Sequence, residues 1–358
     1  MQSNNILTRE ISTIDKTLLI AKLMDGFWDR WLAHGLVRED LTQVRSSFVT
    51  KEAWLKSWSE LAAQKMADAN NLKLRNDKKG AEIIYRIAGL YYQLTQWLIP
   101  ENNEEKQQWL HSSLQSFSAA DQISGIGTRY ETIEVNDKTC YGRIRIPSDP
   151  KGVVIIINPL DSAKEELFTY EMDFVDSGFI TVSFDGPGQG QTFTDEGFKA
   201  TKDDWKQFVD NVINYAHSSF TGLPIHLFGT SSGASWAIYG SCNAKVSKTV
   251  SVSPAFLDDS IRLPDYFLER TSYVLEKGEI GLLPSFENLT FRNPVYLIHG
   301  KKDVMVPDSK IYGLFDQLPV EKTLIEYEDE GHCCNYKLPE IRQKAAGWFD
   351  NKGENNEL

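Results

Sequence analysis

Apolar positions recur along this chain with two different periods, and the change between them divides it near residue 127. From Ile14 to about Ala119 the recurrence is i, i+3, i+4, the spacing of one helix face. Leu18, Ala21, Phe27, Trp28, Trp31 and Leu32 form a first stripe, and Trp54, Trp58, Leu61 and Ala62 a second. Ile83, Ile87, Ala88, Tyr91, Tyr92 and Trp97 form a third, which Pro100 closes. A fourth opens in the glutamate-rich segment at Glu101 and runs through Trp109, Leu110, Leu114 and Phe117. Aromatic stripes at this spacing predict helix-to-helix packing first and the wall of a pocket second.

Beyond a Ser/Gly-rich connector (116–127) the period becomes two. Residues 129–135 and 139–146 alternate as a hairpin around Asn136-Asp137. Gly152–Ile157 is then uniformly apolar, as expected of a strand buried on both faces of a parallel sheet. A helix over 164–176, a strand over 179–184, a helix near 203–217 and strands over 225–228 and 246–252 follow in alternation. Residues 256–290 break the rhythm with three short helical stretches, at 257–261, 266–275 and 280–283, in a position suited either to a lid or to a long connection. Strand 294–298, a helix through Ile311, strand 322–327 and a helix over 338–349 complete the pattern. The expectation is an α/β fold: a doubly wound, mainly parallel sheet over 128–350 with a lid insertion at 256–290, an N-terminal helical cap region over 1–127 and a polar tail at 351–358.

Charge narrows the partners. A formal net charge of −12 repels polyphosphate and anionic lipid, which argues against nucleic acid and membrane surfaces. The N-terminal residues lack the basic and apolar regions of a secretion signal, so the expected location is the cytoplasm. Cys140, Cys242, Cys333 and Cys334 have neither a disulfide framework nor zinc-site spacing and read as free thiols. The Gly-rich string at 186–190 lacks the ending of a phosphate loop, and neither a metal nor a cofactor is expected.

The chemistry-bearing stretch is Gly229-Thr230-Ser231-Ser232-Gly233, placed between an apolar strand and an Ala/Trp/Ile helix. This is the G-x-S-x-G turn in the strand–turn–helix context that it requires, with Ser231 as nucleophile and the Ser232 N–H aimed at a bound oxygen. A serine hydroxyl needs a base, and the base needs an acid to orient it. Asp303 and His332 each fall just past a strand, at the sheet edge that carries the elbow. His299 and His226 lie in strands, while His34, His111 and His217 are expected on helices away from that edge. Asp308 is the competing acid, but its place after Pro307 suits a helix N-cap. A second oxyanion donor is expected after the first parallel strand, in Asn158-Pro159-Leu160-Asp161, where proline has no N–H and Leu160 does.

With these parts assembled, residues 129–349 resemble the α/β-hydrolase superfamily. The strings Leu160-Asp-Ser-Ala-Lys-Glu-Glu166, Phe184-Asp-Gly-Pro-Gly-Gln-Gly190 and Gly331-His-Cys-Cys-Asn335, behind a helical N-terminus, look like one subgroup. It includes the fermentation/respiration switch protein, 2,6-dihydropseudooxynicotine hydrolase and polyketide-shortening hydrolases. Asn158-Pro159 stand where that subgroup usually has Gly-Gly. The resemblance implies hydrolysis of a carbon–carbon bond next to a ketone in a hydrophobic, aromatic or polyketide-like substrate, free or held on a carrier protein. It also implies a substrate-assisting acidic residue, Asp161 or Glu165, although an N-cap reading of Asp161 is equally open. Asp185 is expected to buttress its own loop. An ester, thioester or amide is the alternative bond, and a non-catalytic partner-binding protein the alternative class. The aromatic-rich helical region would also suit a homodimer.

Overall fold

In the computed structural model, which describes residues 11–256, 265–287, 289–319 and 321–351, the period change marks a real boundary between helices and sheet. The helical region comprises α1 (Thr13–Leu23), α2 (Asp29–Ala33), α3 (Arg38–Val44), α4 (Lys51–Leu74), α5 (Lys78–Trp97) and α6 (Glu104–Ile123). Several starts are capped as their sequence requires. Ser12, Thr50, Asp77 and Asn103 each accept a hydrogen bond from a backbone N–H of the first turn. The stripes meet in one aromatic core, where Trp28 stands 5.7 Å from Trp54 and 5.9 Å from Trp58, ring centre to ring centre.

The rest alternates: β1 (Gly127–Val135), β2 (Lys138–Ile146), β3 (Gly152–Ile157), α7 (Phe168–Asp176), β4 (Phe179–Phe184), α8 (Gly190–Glu196), α9 (Lys202–Ser219), β5 (Ile225–Thr230), α10 (Ser232–Gly240), β6 (Val246–Val252), α11 (Asp265–Val274), β7 (Val295–Gly300), α12 (Asp308–Gln317), β8 (Lys322–Tyr327) and α13 (Leu338–Asp350). The eight strands form one sheet in the order β1-β2-β4-β3-β5-β6-β7-β8. β1 and β2 pair antiparallel through a turn in which Asn136 and Asp137 both have positive φ, the geometry of a tight hairpin. From β4 to β8 all pairs are parallel. The chain leaves β3 for β4 on one side and returns to β5 on the other, so β3 and β5 flank a topological switch point. In such sheets ligands bind beyond the carboxyl ends of the strands at that point.

Two expectations need correction. The helix predicted over 164–176 begins only at Phe168, because residues 164–167 form tight turns tied to the loop after β4. Residues 280–283 are not helical, since Gly281 weakens a helix there and Pro284 disfavours it in the residue before. α11 covers most of the stretch expected at 266–275, whereas 257–261 and the tail beyond Asn351 lie outside the described residues. No helix among the described residues is long and apolar enough to cross a membrane.

Candidate active site

β5 ends in the elbow. Ser231 has φ 53° and ψ −125°, a strained conformation for a residue with a side chain, immediately before the first residue of α10. The glycines on either side make the turn possible. A Cβ on Gly229 would stand 2.3 Å from the Gly233 carbonyl oxygen, and one on Gly233 would stand 2.1 Å from that of Ile157 in β3. The elbow thus packs backbone against backbone and holds Ser231 above the sheet edge.

His332 reaches this point from the loop after β8, and Asp303 from the loop after β7. His332 Nε2 lies 2.8 Å from Ser231 Oγ, and Nδ1 lies 2.8 Å from Asp303 Oδ2. In the neutral ring Nδ1–H donates to the carboxylate and Nε2 accepts the serine proton, the tautomer that this network assigns. Asp303 Oδ1 is fixed in turn by the N–H groups of Met305 (2.8 Å) and Val306 (3.0 Å). Burial works against ionisation of Asp303, but its hydrogen bonds win and hold its pKa below the usual carboxylate value. Burial also disfavours charge on His332, yet the Cys333 sulfur and the Asp303 carboxylate outweigh it and raise the imidazole pKa above its ordinary value. The loop carrying His332 is itself strained. Cys333 and Cys334 both have positive φ, and the Cys333 N–H donates to Ser253 Oγ at 3.1 Å.

The other sequence-derived candidates are distributed as follows. Ser232 opens α10, where helix geometry leaves its N–H without an intrahelical acceptor. The Leu160 N–H faces the elbow but donates to Ser232 Oγ at 2.8 Å. Asp161 caps no helix. It lines the cavity over Ser231 and accepts from Trp97 Nε1 (3.1 Å) and Arg30 Nη1 (3.3 Å). Glu165 is buried beside Arg143 and Lys164, at 3.3 Å from each, and lines neither cavity at Ser231. Asp185 binds the Lys164 N–H, the Lys164 ammonium and the Gln191 N–H, which ties the loop after β4 to the loop after β3.

Among the competing residues, His299 pairs with Asp308 at 2.8 Å, and Asp308 also holds Lys301; Asp308 is the first residue of α12 and caps nothing. His226 is buried against Phe349, ring centres 4.5 Å apart, and burial pushes its pKa down to about 3. His111 meets Asp195 at the surface, and His217 lies in the last turn of α9. His34 is a correction: it lies not away from the active edge but in the cavity wall that contains Ser231. Its ring meets Glu166 at 2.7 Å and the Tyr170 hydroxyl at 3.1 Å, and burial lowers its pKa, which keeps it neutral. Arg30, one turn earlier, binds Glu166 through Nε (2.5 Å) and Nη2 (2.6 Å). Burial alone would raise the Glu166 carboxyl, but Arg30 and His34 bring it down to about 2. The sequence signal for this pair was a polar i, i+4 couple, Arg30 and His34, set within an aromatic stripe.

Two cavities meet at Ser231 and His332. One, of about 250 Å³, lies under α2 and is walled by Arg30, Trp31, His34, Trp97, Asp161 and Tyr266. The other, of about 890 Å³, is walled by Trp205, Trp236, Phe256, Leu275, Leu282 and Leu283. Among the described residues no group of His, Cys, Asp and Glu side chains could hold a metal ion.

No protein-family model matches the chain. It is 26% identical over 340 residues to 2,6-dihydropseudooxynicotine hydrolase of Paenarthrobacter nicotinovorans, covering 90% of each protein. It is also 26% identical over 323 residues to Hydrolase LUC6 of a Fusarium species, covering 83% of this chain and 74% of that one. The crystal structure of the 2,6-dihydroxy-pseudo-oxynicotine hydrolase superposes with a TM-score of 0.75 at 22% identity, over 90% of this chain and 95% of that one. That likeness includes the helical region as well as the sheet. With its sheet order, its elbow and these likenesses, the chain is a hydrolase of the α/β-hydrolase fold, similar over most of its length to the relatives just named.

Proposed function

We propose that this hydrolase uses Ser231 as nucleophile, His332 as base and Asp303 as its orienting acid to cleave a carbon–carbon bond next to a ketone in a hydrophobic, aromatic or polyketide-like small molecule. The observation that carries the reading is the unbroken relay Asp303–His332–Ser231, at 2.8 Å for each contact, where two cavities meet under a helical cap. The similarity to 2,6-dihydropseudooxynicotine hydrolase across 90% of both chains supports the choice of bond. The substrate is met in the cytoplasm, free or on a carrier protein.

Ser231 Oγ attacks the ketone carbon as His332 Nε2 takes its proton. The Ser232 and Leu160 N–H groups receive the developing oxyanion, with the Ser232 hydroxyl giving up its hold on the latter; each such donor contributes about 3–4 kcal/mol. Collapse re-forms the carbonyl, breaks the carbon–carbon bond and sends its electron pair to the leaving carbon, where a neighbouring carbonyl spreads it as an enolate. His332 returns the proton to that carbon, then draws one from water to release the acyl group. Asp161, on the cavity wall between Arg30 and Trp97, is the substrate-assisting carboxylate in this scheme; Glu165 is not, because Arg143 and Lys164 engage it away from the cavity.

The test is turnover of aryl 1,3-diketones in heavy water. The expected result is two fragments, with deuterium on the carbon of the leaving ketone and the acid formed in equal amount. Fast cleavage of esters with no cleavage of any diketone would move the assignment to an ester, thioester or amide bond.

A further inference from the structure

The two cavities share Leu160, Ser231, Ser232, Phe267, Met305 and His332, so they are arms of one site that meet at the reacting atoms. Their walls differ in kind. The larger arm runs between α9, α10 and the segment after α11, and is faced by indole, phenyl and leucine side chains. Lys and Glu side chains enter this wall only as the half-buried Lys202 and Glu279, and the Glu279 carboxylate accepts from the Lys202 backbone N–H at 3.2 Å. Ile280 and Leu268 on the same arm are 97% and 48% exposed, which makes its mouth apolar too. The smaller arm combines aromatic walls with hydrogen-bonding groups on Arg30, His34, Asp161, Tyr266 and Asn335. Its charged groups are paired: Arg30 bridges Asp161 and Glu166, and the adjacent Arg270 reaches Asp161. A polar arm with flat aromatic walls and paired charges suits an uncharged ring bearing hydroxyl or carbonyl groups.

We propose that the arms divide the substrate at the scissile bond. The apolar arm holds the half that remains on Ser231 as the acyl group, and the polar arm holds the half that leaves as an enolate. This rests on the proposed acyl-enzyme and adds which fragment goes where. The reason is charge. When the carbon–carbon bond breaks, its electron pair moves onto the leaving half, whose oxygen then needs donors; guanidinium and phenol groups stand in the polar arm. The acyl half becomes a neutral ester and gains nothing from such groups. It can be long and wholly apolar, because its arm has more than three times the volume, about 890 Å³ against 250 Å³, and an apolar mouth through which a chain can extend. The substrate class is therefore asymmetric: a bulky apolar acyl unit joined through a ketone to a compact, oxygenated and preferably aromatic partner.

Ester probes report the division without depending on the carbon–carbon step. One series keeps p-nitrophenol as leaving group and lengthens the acyl chain from acetyl to dodecanoyl. The second keeps a butanoyl group and enlarges the phenol. Two variants fill the arms separately. Leu283→Trp narrows the apolar arm, and Gly26→Phe narrows the polar arm, where an added Cβ has Asp29 Oδ2, 3.7 Å away, as its nearest contact. The expected result is that Leu283→Trp lowers the dodecanoyl-to-acetyl ratio of kcat/KM about 10-fold or more without reordering the phenols, and that Gly26→Phe does the reverse. The opposite assignment of effects, or both variants acting alike on both series, would overturn the division. Peptide mass spectrometry of quenched reactions is run alongside. An acyl adduct on Ser231 with the wrong chain-length pattern removes only the division, whereas no adduct under any condition removes the acyl-enzyme reading and the division with it.

Discussion

Two clusters of buried polar side chains adjoin the loop that follows β3, one through Lys164 and Glu165 and one at the elbow that Leu160 faces, and they are connected in different ways. In the first, Glu171 of α7 accepts from Arg143 (2.8 Å) and Arg145 (2.7 Å) of β2, while Arg145 reaches Asp121 of α6 at 2.6 Å and Lys164 reaches Asp185 at 2.8 Å. These ties join the last helix of the cap to the sheet and to the loop after β4. Each of its carboxylates is engaged by cations, and none of these groups borders the cavities at Ser231. The second cluster, Asp303–His332–Ser231, is a chain rather than a web, and its last atom faces open space. The lesson is that burial and pairing alone do not mark chemistry. The proposed chemistry rests instead on a relay with one end left for a substrate.

Breaking the relay is expected to give the largest effects. Ser231→Ala should lower kcat by about 10⁶-fold, by analogy with other serine triads, with the thermal unfolding midpoint nearly unchanged. Asp303→Asn should cost about 10⁴-fold, because an amide favours the wrong tautomer of His332. Steady-state kinetics on an activated ester would check both. Glu171→Gln should behave in the opposite manner: stability falls by about 3–5 kcal/mol in urea unfolding, because two buried arginines lose the carboxylate they share and keep only Glu165 and Asp121, while the folded fraction retains activity. Equal losses of activity and stability in Glu171→Gln and Asp303→Asn would erase the distinction between the clusters.

The pH dependence sharpens it further. The proposed mechanism needs neutral His332, so a raised pKa should move the acid limb of kcat/KM above the 6.5 of an ordinary imidazole. Cys333→Ala, which removes the sulfur that supports the charged ring, should move that limb down. The effect on folding has the opposite sense. Stability contributed by charged His332 is fully present below pH 6.5 and is lost as pH rises through the folded-state value. The smallest expected change is in Ser232→Ala. Freeing the Leu160 N–H from its 2.8 Å hydrogen bond should raise kcat by up to about 10-fold, the worth of one neutral hydrogen bond.

The chain's local patterns carried much of this. The shift from period 3.6 to period 2 marked where the helices give way to the sheet, and Gly229 and Gly233 marked the elbow because only a missing Cβ fits there. The order serine, acid, histidine selected three residues that the structure brings into hydrogen-bond contact. What local pattern did not carry is contact between distant segments. Arg30 and His34 join the site because α2 docks over the loop after β3, and nothing in either segment alone specifies that. Lys164, Glu165 and Glu166 read as the first turn of a helix, yet each has a partner outside it: Asp185, Arg143 and Arg30 respectively. Those ties, rather than helix propensity, decide the backbone of residues 164–167.

The central claim is that Ser231 forms an acyl-enzyme from a ketone. The most direct measurement is peptide mass spectrometry after treatment with a fluorophosphonate, with and without an aryl 1,3-diketone competitor. The account predicts a single adduct on Ser231 that the diketone suppresses. A folded protein that takes no adduct at Ser231, or one whose labelling the diketone leaves untouched at saturating concentration, would contradict it.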